Sequence, residues 1–336
     1  MSSTQHAPHP AVGGAAANPR APRVAVVLVT YNSADVLPGC LDALSDGLRG
    51  VTVTEIVAVD NASDDASVAL VSAHPVPAVR VLPVGRNAGY AAAINLGVAA
   101  LSDCDAVLVL NPDVRLRPGA VAALAAALAV PGVAVAAPRL STADGRLHPS
   151  LRRRPSLPRA LAEAVLGGDR AARLGRLGER VTDPRCYERP GRVDWAAGAA
   201  LLLSRDALRQ IGPWDESFLL YSEETEFALR AADQGWSVRF EPAAEAVHLG
   251  GESGTDPMLA ALLAVNRVGL YRRRHGRLAA AAFHAAVVLG EALRAAAGRR
   301  TSRAALTALL FPSRRLRVLP SAGRPGAPTT SEEPTR

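Results

Sequence analysis

VAVVLVTYNSADVLPGCLDAL, residues 24–44, decides the fold. Its first six residues form an unbroken apolar run, the pattern of a buried strand. The polar cluster Thr30-Tyr31-Asn32 ends the run, and within 33–48 Leu37, Leu41, Leu44 and Leu48 recur at helical spacing. The same alternation continues outward. Apolar runs at 55–60 (EIVAVD), 79–82 (VRVL), 106–110 (AVLVL) and 133–137 (VAVAA) are separated by helical segments at 65–73, 89–101 and 118–129. Strand and helix in alternation imply an α/β fold with a doubly wound, mostly parallel sheet, whose ligands sit at the carboxyl ends of the strands. Three strands end in polar clusters: Thr30-Tyr31-Asn32, Asp60-Asn61-Ala62-Ser63 and Asn111-Pro112-Asp113. These loops are expected to converge. The first strand-to-helix turn has neither GxGxxG nor GxxxxGK[ST], so neither a dinucleotide-binding nor a P-loop reading has support.

Beyond this half the pattern changes. Residues 141–190 read as an irregular, mobile insertion, with Pro at 149, 155, 158, 184 and 190 and a basic stretch, LRRRPSLPR, at 151–159. Periodic structure returns at 193–204 (VDWAAGAALLLS), a strand with a small-residue break, then a short helix at 205–211 and a strand at 236–242. Residues 258–311 read as helices. Within them 278–298 is apolar over nearly its whole length but is interrupted by His284, Glu291 and Arg294, so it reads as a helix lying on a surface rather than spanning a membrane.

With 336 residues, 49% of them hydrophobic, the chain can bury a sizeable core. Three widely spaced cysteines, Cys40, Cys104 and Cys186, argue against a disulfide framework or a thiolate zinc site and suit a reducing cytosol. Residues 1–22 lack an apolar signal segment and read as a disordered leader, and 319–336 as a disordered tail. The net charge of +7 is carried by arginine alone, since the sequence has no lysine. Between Met258 and Pro320 twelve arginines face one acid, Glu291, which makes 258–318 a basic helical segment suited to an anionic membrane surface. Nucleic acid is not an expected partner, because the segment has little aromatic interleaving and no base-reading motif. The oligomeric state stays open, a homo-oligomer included.

The densest concentration of acid is 220-LYSEETEFALRAADQGW-236, with Glu223, Glu224 and Glu226 in four positions. A helix N-terminus favours acids in its first turn, with Ser222 as the N-cap. Glu226 stands four residues before Arg230, the favourable orientation for a helical ion pair. Glu224 shares a helix face with Phe227, Ala228 and Ala231, so its carboxylate leans toward packed protein and needs a partner, a metal or a substrate.

Taken in order, VAVVLVTYNSADVLPGCLDAL, AVDNASDD, GRNAGYAAAINLG, VLNPDV, the segment 194–236 that begins DWAAGAALLLS, and AVHLGGES resemble the family 2 glycosyltransferases, particularly their rhamnosyltransferase-like branch. The resemblance spans about 24–275. It implies a GT-A domain over 23–257, with a Rossmann-like nucleotide-sugar-binding half at 23–140 and an acceptor and catalytic half at 191–257. Thr30, Tyr31, Asn32 and Asp60 then line the nucleoside pocket, although turn chemistry alone also accounts for Asn32 and Asp60. Asn87, Gly89 and Asn95 border that pocket, unless Gly89 simply opens its helix.

The family's DxD motif falls on Asn111-Pro112-Asp113, where the first acid is replaced. Asp113 remains as a ligand for a divalent cation, Mg²⁺ or Mn²⁺, with His248 as a second ligand or a phosphate contact. Asp194 contacts the donor, Trp195 and Gly198 lie at the floor of the acceptor cleft, and Trp214 offers a stacking platform. The base of a single inverting displacement maps onto Glu224, one methylene longer than the usual Asp, with Glu223 as the alternative.

The expected activity is therefore a metal-dependent, inverting transfer of a sugar to a lipid-linked or polysaccharide acceptor in cell-envelope glycan synthesis. The expected donor is dTDP-rhamnose, and the expected place is the cytoplasmic face of the plasma membrane. UDP-GlcNAc, UDP-galactofuranose or GDP-mannose as donor, and an inactive sugar-nucleotide-binding scaffold, are the rivals.

Overall fold

The computed structural model describes residues 20–76, 79–250 and 256–317. The leader read at 1–22 lies outside these residues except for its last three, and the tail at 319–336 lies wholly outside them. Four strands, β1 (Arg23–Thr30), β2 (Thr52–Asp60), β3 (Val79–Pro83) and β4 (Ala106–Leu110), alternate with α1 (Leu37–Gly47), α2 (Ser67–Ala73) and α3 (Tyr90–Ala99). β5 (Val114–Leu116), α4 (Ala120–Leu128) and β6 (Val133–Ser141) follow. The central strands are apolar on both faces because helices cover both, and every residue of β4 is buried. β1 pairs in parallel with β2 and β4, in a register that sets Thr30 beside Asp60, so the polar loops after these strands emerge at one edge.

The segment 141–190 is more regular than its prolines suggest. It holds β7 (Leu151–Arg152), α5 (Leu157–Leu166) and α6 (Gly168–Arg173). Pro158 is compatible with helix because it stands in the first turn of α5, where its missing N–H costs nothing.

The small-residue break at 193–204 is real. β8 (Gly191–Val193), β9 (Trp195–Ala196) and β10 (Ala200–Ser204) replace one strand, and α7 (Arg205–Ile211), α8 (Glu223–Asp233) and β11 (Ser237–His248) complete the sheet domain. The main sheet runs β3-β2-β1-β4-β10-β6-β11-β5, with β8 on β11, and β7 pairs with β9 apart from it. β10 is antiparallel to both β4 and β6.

Three helices close the description: α9 (Pro257–Arg274), α10 (Arg277–Ala296) and α11 (Arg300–Leu310). Phe283, Ala286 and Val287 of α10 and Ala305 and Leu309 of α11 form a separate apolar core with Ala160 of α5 and Tyr271 of α9. The close α5–α10 approach needs Gly290, where a Cβ would meet Ala164 Cα at 3.0 Å. α10 is long and apolar enough to cross a membrane. The charge of this region is less free than its sequence implies. Arg267, Arg273, Arg274 and Arg294 are spent on Glu163, Asp215, Asp233 and Glu291 within the protein.

Candidate active site

Small polar residues knit the loops at the carboxyl edge of the sheet. After β1, Asn32 adopts φ 47°, a left-handed conformation that Asn tolerates, and its Oδ1 accepts from the Asp64 N–H at 3.0 Å while its own N–H donates to Ser63 Oγ at 2.9 Å. Ser33 N–H donates to Ser67 Oγ, and Ala34 N–H to Asp65. After β4, Asn111 N–H donates to the Ala199 carbonyl, fixing the Asn-Pro-Asp turn against the loop before β10. The loops converge as expected: Tyr31, Asn61, Asn87 and Asn111 line one cleft of about 1590 Å³.

Tyr90, at the start of α3, ties this wall to the next. Its hydroxyl lies 2.6 Å from Asn111 Oδ1 and 2.9 Å from the Gly198 carbonyl oxygen. Burial, and then the charges of Glu223, Glu224 and Asp113, raise its pKa well above the ordinary phenol value. Gly198 lies between the ring and Glu224, where a Cβ would make ordinary contacts at 3.6 Å to Tyr90 and 3.8 Å to Glu224.

The acidic stretch forms the far wall, and it is reached through a strained turn. Leu219, Tyr221 and Ser222 have φ of 62°, 66° and 77°, a conformation that costs on the order of 1–3 kcal/mol at each non-glycine residue. Ser222 therefore precedes α8 without capping it through its side chain, which corrects the N-cap reading. External bonds hold the turn: Asn266 Nδ2 of α9 donates to the carbonyls of Phe218, Leu220 and Tyr221 at 2.6, 2.8 and 3.1 Å, and Tyr90 N–H to that of Leu219. Gly89, φ 95°, has a reason beyond opening α3: a Cβ there would come within 2.2 Å of the Leu219 oxygen.

Glu223 and Glu224 then face the cleft, and each has a buried Oε2 without a hydrogen-bond partner among the described residues. Burial, reinforced by its neighbour, pushes the Glu223 carboxyl well above the ordinary range, and burial raises Glu224 as well. Arg152, whose guanidinium lies over Trp195 at 5.8 Å, opposes the rise at Glu224. Glu226 turns away into a two-pronged pair with Arg230, both contacts at 2.9 Å.

Antiparallel pairing of β11 with β5 sets His248 opposite Val114, which brings residues far apart in sequence together. His248 Nε2 lies 3.1 Å from Asp113 Oδ2, and its buried Nδ1 has no partner among the described residues. His148 packs 4.9 Å from the same ring, and burial holds its pKa down at about 4. Among the described residues no three His, Cys, Asp or Glu side chains gather as a complete metal cage. One carboxylate and one imidazole are a fitting partial set for a hard cation that takes its remaining ligands from a diphosphate.

Several expected residues fall elsewhere. Thr30, Asn32, Asp60, Gly89 and Asp113 stand behind the lining rather than in it, and Asp60 accepts from the Ser63 N–H at 3.1 Å, the turn role foreseen for it. Asn95 does not border the pocket: its side chain clamps Trp214, accepting from its N–H and donating to its carbonyl, both at 2.9 Å. Trp214 is no stacking platform. It is 3% exposed and lies flat against Phe227 in the core, at 4.8 Å. Asp194 accepts from the Arg154 N–H at 2.9 Å, outside the lining, whereas Trp195 and Gly198 do line the cleft. Sequence reading missed Asn61, Tyr90, His148 and Arg152 as lining residues. The first two lay inside quoted motifs and Arg152 inside the basic stretch 151–159, while His148 carried no signal.

Comparison with known proteins settles the family. Residues 25–183 match the family described as glycosyl transferase family 2, and 176–301 match glycosyl transferase family group 2. Over 244 residues, 69% of this chain and 78% of the other, the sequence is 34% identical to the N-acetylglucosaminyl-diphospho-decaprenol L-rhamnosyltransferase of Mycobacterium tuberculosis. The chain belongs to glycosyltransferase family 2.

The glycosyltransferase is also 25% identical, over 67% of its length, to the low-salt glycan biosynthesis hexosyltransferase Agl10 of Haloferax volcanii, covering 66% of that protein. Its fold matches the mannosyltransferase PcManGT from Pyrobaculum calidifontis, solved with GDP-Man and Mn²⁺, with a TM-score of 0.53 over 88% of this chain and 81% of that one at 19% identity. The GT-A architecture is thus shared where little sequence is. In this glycosyltransferase the carboxyl edge of the sheet and the first turn of α8 make the two walls of the cleft.

Proposed function

We propose that the enzyme transfers rhamnose from dTDP-rhamnose to a lipid-linked acceptor of cell-envelope glycan synthesis, by a single displacement that inverts the anomeric centre. The observation that carries the mechanism is Glu224 on the cleft wall, whose buried Oε2 has no hydrogen-bond partner among the described residues. The 34% identity to a rhamnosyltransferase named for a diphospho-decaprenol acceptor supports the donor and acceptor classes.

Glu224 takes the proton of an acceptor hydroxyl as that oxygen bonds to the anomeric carbon, and the nucleoside diphosphate departs from the opposite face with the electrons of the broken bond. Glu223, beside it and more deeply buried, is raised further by the charge of Glu224, so it keeps its proton and leaves Glu224 as the carboxylate of the pair. Asp113 and His248 are the residues that would hold a divalent cation, which would neutralise charge gathering on the leaving diphosphate. Mn²⁺ in the mannosyltransferase of the same fold is consistent with a divalent cation.

The exposed apolar residues of the C-terminal helices, with Leu278 88% exposed, support peripheral binding to the inner face of the membrane by 258–318. The domain division at 23–257 remains part of this proposal.

The decisive assay supplies a panel of sugar nucleotides and a lipid-linked N-acetylglucosamine acceptor, with Mg²⁺, Mn²⁺ or chelator, and reads the product's anomeric configuration by NMR. Rhamnosyl transfer with inversion, abolished by chelator, is the expected result. Transfer of another sugar, or retention of configuration, overturns the corresponding part, and donor binding without turnover would make the chain a scaffold. Because a raised carboxyl must lose its proton before it can act as a base, kcat/KM is expected to rise with pH through a value above the ordinary carboxylate range. A profile flat from pH 5 upward would remove Glu224 from that role.

A further inference from the structure

The cleft does not end at Glu224. It continues as a groove whose walls are Ala164 and Val165 of α5, Leu263 of α9, and Val287 and Leu293 of α10. The whole cavity, about 1590 Å³, exceeds the roughly 300–1,000 Å³ typical of a small-molecule site. A sugar nucleotide at the top of that range leaves about a third of the volume to something else.

The walls of the remainder are oily and wet at once. Val165, Leu263 and Leu293 are 68%, 44% and 49% exposed, and eleven of the fourteen exposed large hydrophobics among the described residues lie from Leu161 to Phe311. Such a concentration marks a binding surface rather than ordinary scatter. Arg170 and Arg173 of α6 line the same groove with no carboxylate partner among the described residues, whereas the neighbouring Arg294 is spent on Glu291. An apolar trough that carries unspent positive charge and opens into a sugar-transfer site suits one kind of occupant: a long hydrocarbon chain attached to phosphate.

We propose that this groove between α5 and α9–α10 holds the apolar chain of the acceptor lipid, with Arg170 and Arg173 supplying charge for its phosphates and the acceptor sugar delivered to Glu224. The inference rests on the lipid-linked acceptor proposed above. It makes the C-terminal helices part of the acceptor site as well as a membrane-facing surface, so chain length becomes a determinant of specificity.

The test uses the full chain and a polyprenyl diphosphate with a photoreactive group in its chain. Crosslinked peptides mapped by mass spectrometry are expected to come from α5, α9 and α10, to be competed by unlabelled polyprenyl diphosphate, and to fall at least fivefold in the double variant Leu263→Gln, Leu293→Gln. Both positions are already solvent-exposed, so the variant is expected to fold with unchanged circular dichroism and melting.

In parallel, the variant is expected to raise KM for a long-chain acceptor about tenfold relative to one truncated to a short chain. Leu278→Gln, on α10 but outside the groove, is expected to keep the wild-type ratio. Labelling confined to outward positions such as Leu278 and Phe311 means the chain meets the helices only as bilayer and overturns the groove, as does an equal change for both acceptors. Groove labelling without any sugar transfer supports the groove and overturns the transfer reading instead.

Discussion

Two pairs of buried glutamates line the same cleft under opposite conditions. Glu163 and Glu179 share the Arg267 guanidinium, at 2.7 and 2.9 Å. Glu223 and Glu224 stand side by side, each with a carboxylate oxygen that nothing satisfies among the described residues. Burial raises Glu179 too, but Arg267 opposes it, whereas at Glu223 the next influence is the charge of Glu224, which adds to the rise. Since the side chains are identical, the partner makes the difference. The first pair joins α5 to α9, and the second leaves a base ready for a substrate proton.

The comparison breaks most visibly at Glu224. Glu224→Gln keeps shape and burial while removing the base, so turnover is expected to fall about 10²–10⁴-fold with donor affinity by calorimetry unchanged. Retention of more than a tenth of the turnover would transfer the role to Glu223.

At the other pair the effect falls on stability. Arg267→Met leaves two buried carboxylates without their cation and is expected to cost about 3–5 kcal/mol in urea unfolding at pH 7. Part of that loss returns as acid protonates the carboxylates, and a loss independent of pH would contradict the pairing.

Asn266→Ala tests the strained turn between the two pairs. Three carbonyls lose a donor, although that of Phe218 keeps the Leu220 N–H, so stability is expected to fall by about 1–3 kcal/mol and kcat on the order of 10–10²-fold through misplacement of Glu224, with the pH profile unshifted. A loss of stability with full kcat would make Asn266 structural only.

The smallest expected change has the opposite sign. Folding raises the Glu223 pKa, so the folded chain holds that proton to higher pH than the unfolded chain. The group's contribution to stability is therefore full below the ordinary carboxylate range and is lost as pH rises toward the raised value. Glu223→Gln is expected to be more stable than the wild type by about 1 kcal/mol at pH 7 and no more stable at pH 4. Measured unfolding midpoints at the two pH values decide this.

Much of this arrangement is legible in the sequence. Runs such as AVLVL announced β4, and the spacing of Leu37, Leu41 and Leu44 announced the buried face of α1, because burial imposes its period on the chain locally. The acidic first turn of α8 marked Glu223 and Glu224 for the same reason. β5 escaped because three residues are too few to show a period, and α5 was hidden by a proline that its first turn accepts.

Motif membership was a weaker guide. It placed Asn95 and Trp214 near the site but could not say that they face each other and the core. By itself the sequence determined the parallel α/β half, the polar strand ends and the acidic wall, all of which follow from neighbours along the chain. Only the tertiary structure decided that His248 meets Asp113, that Arg152 faces Glu224, that Asn266 holds the turn and that arginines read as free are paired. Each of these joins residues from distant elements, and no local pattern records which distant group will satisfy a buried charge or carbonyl.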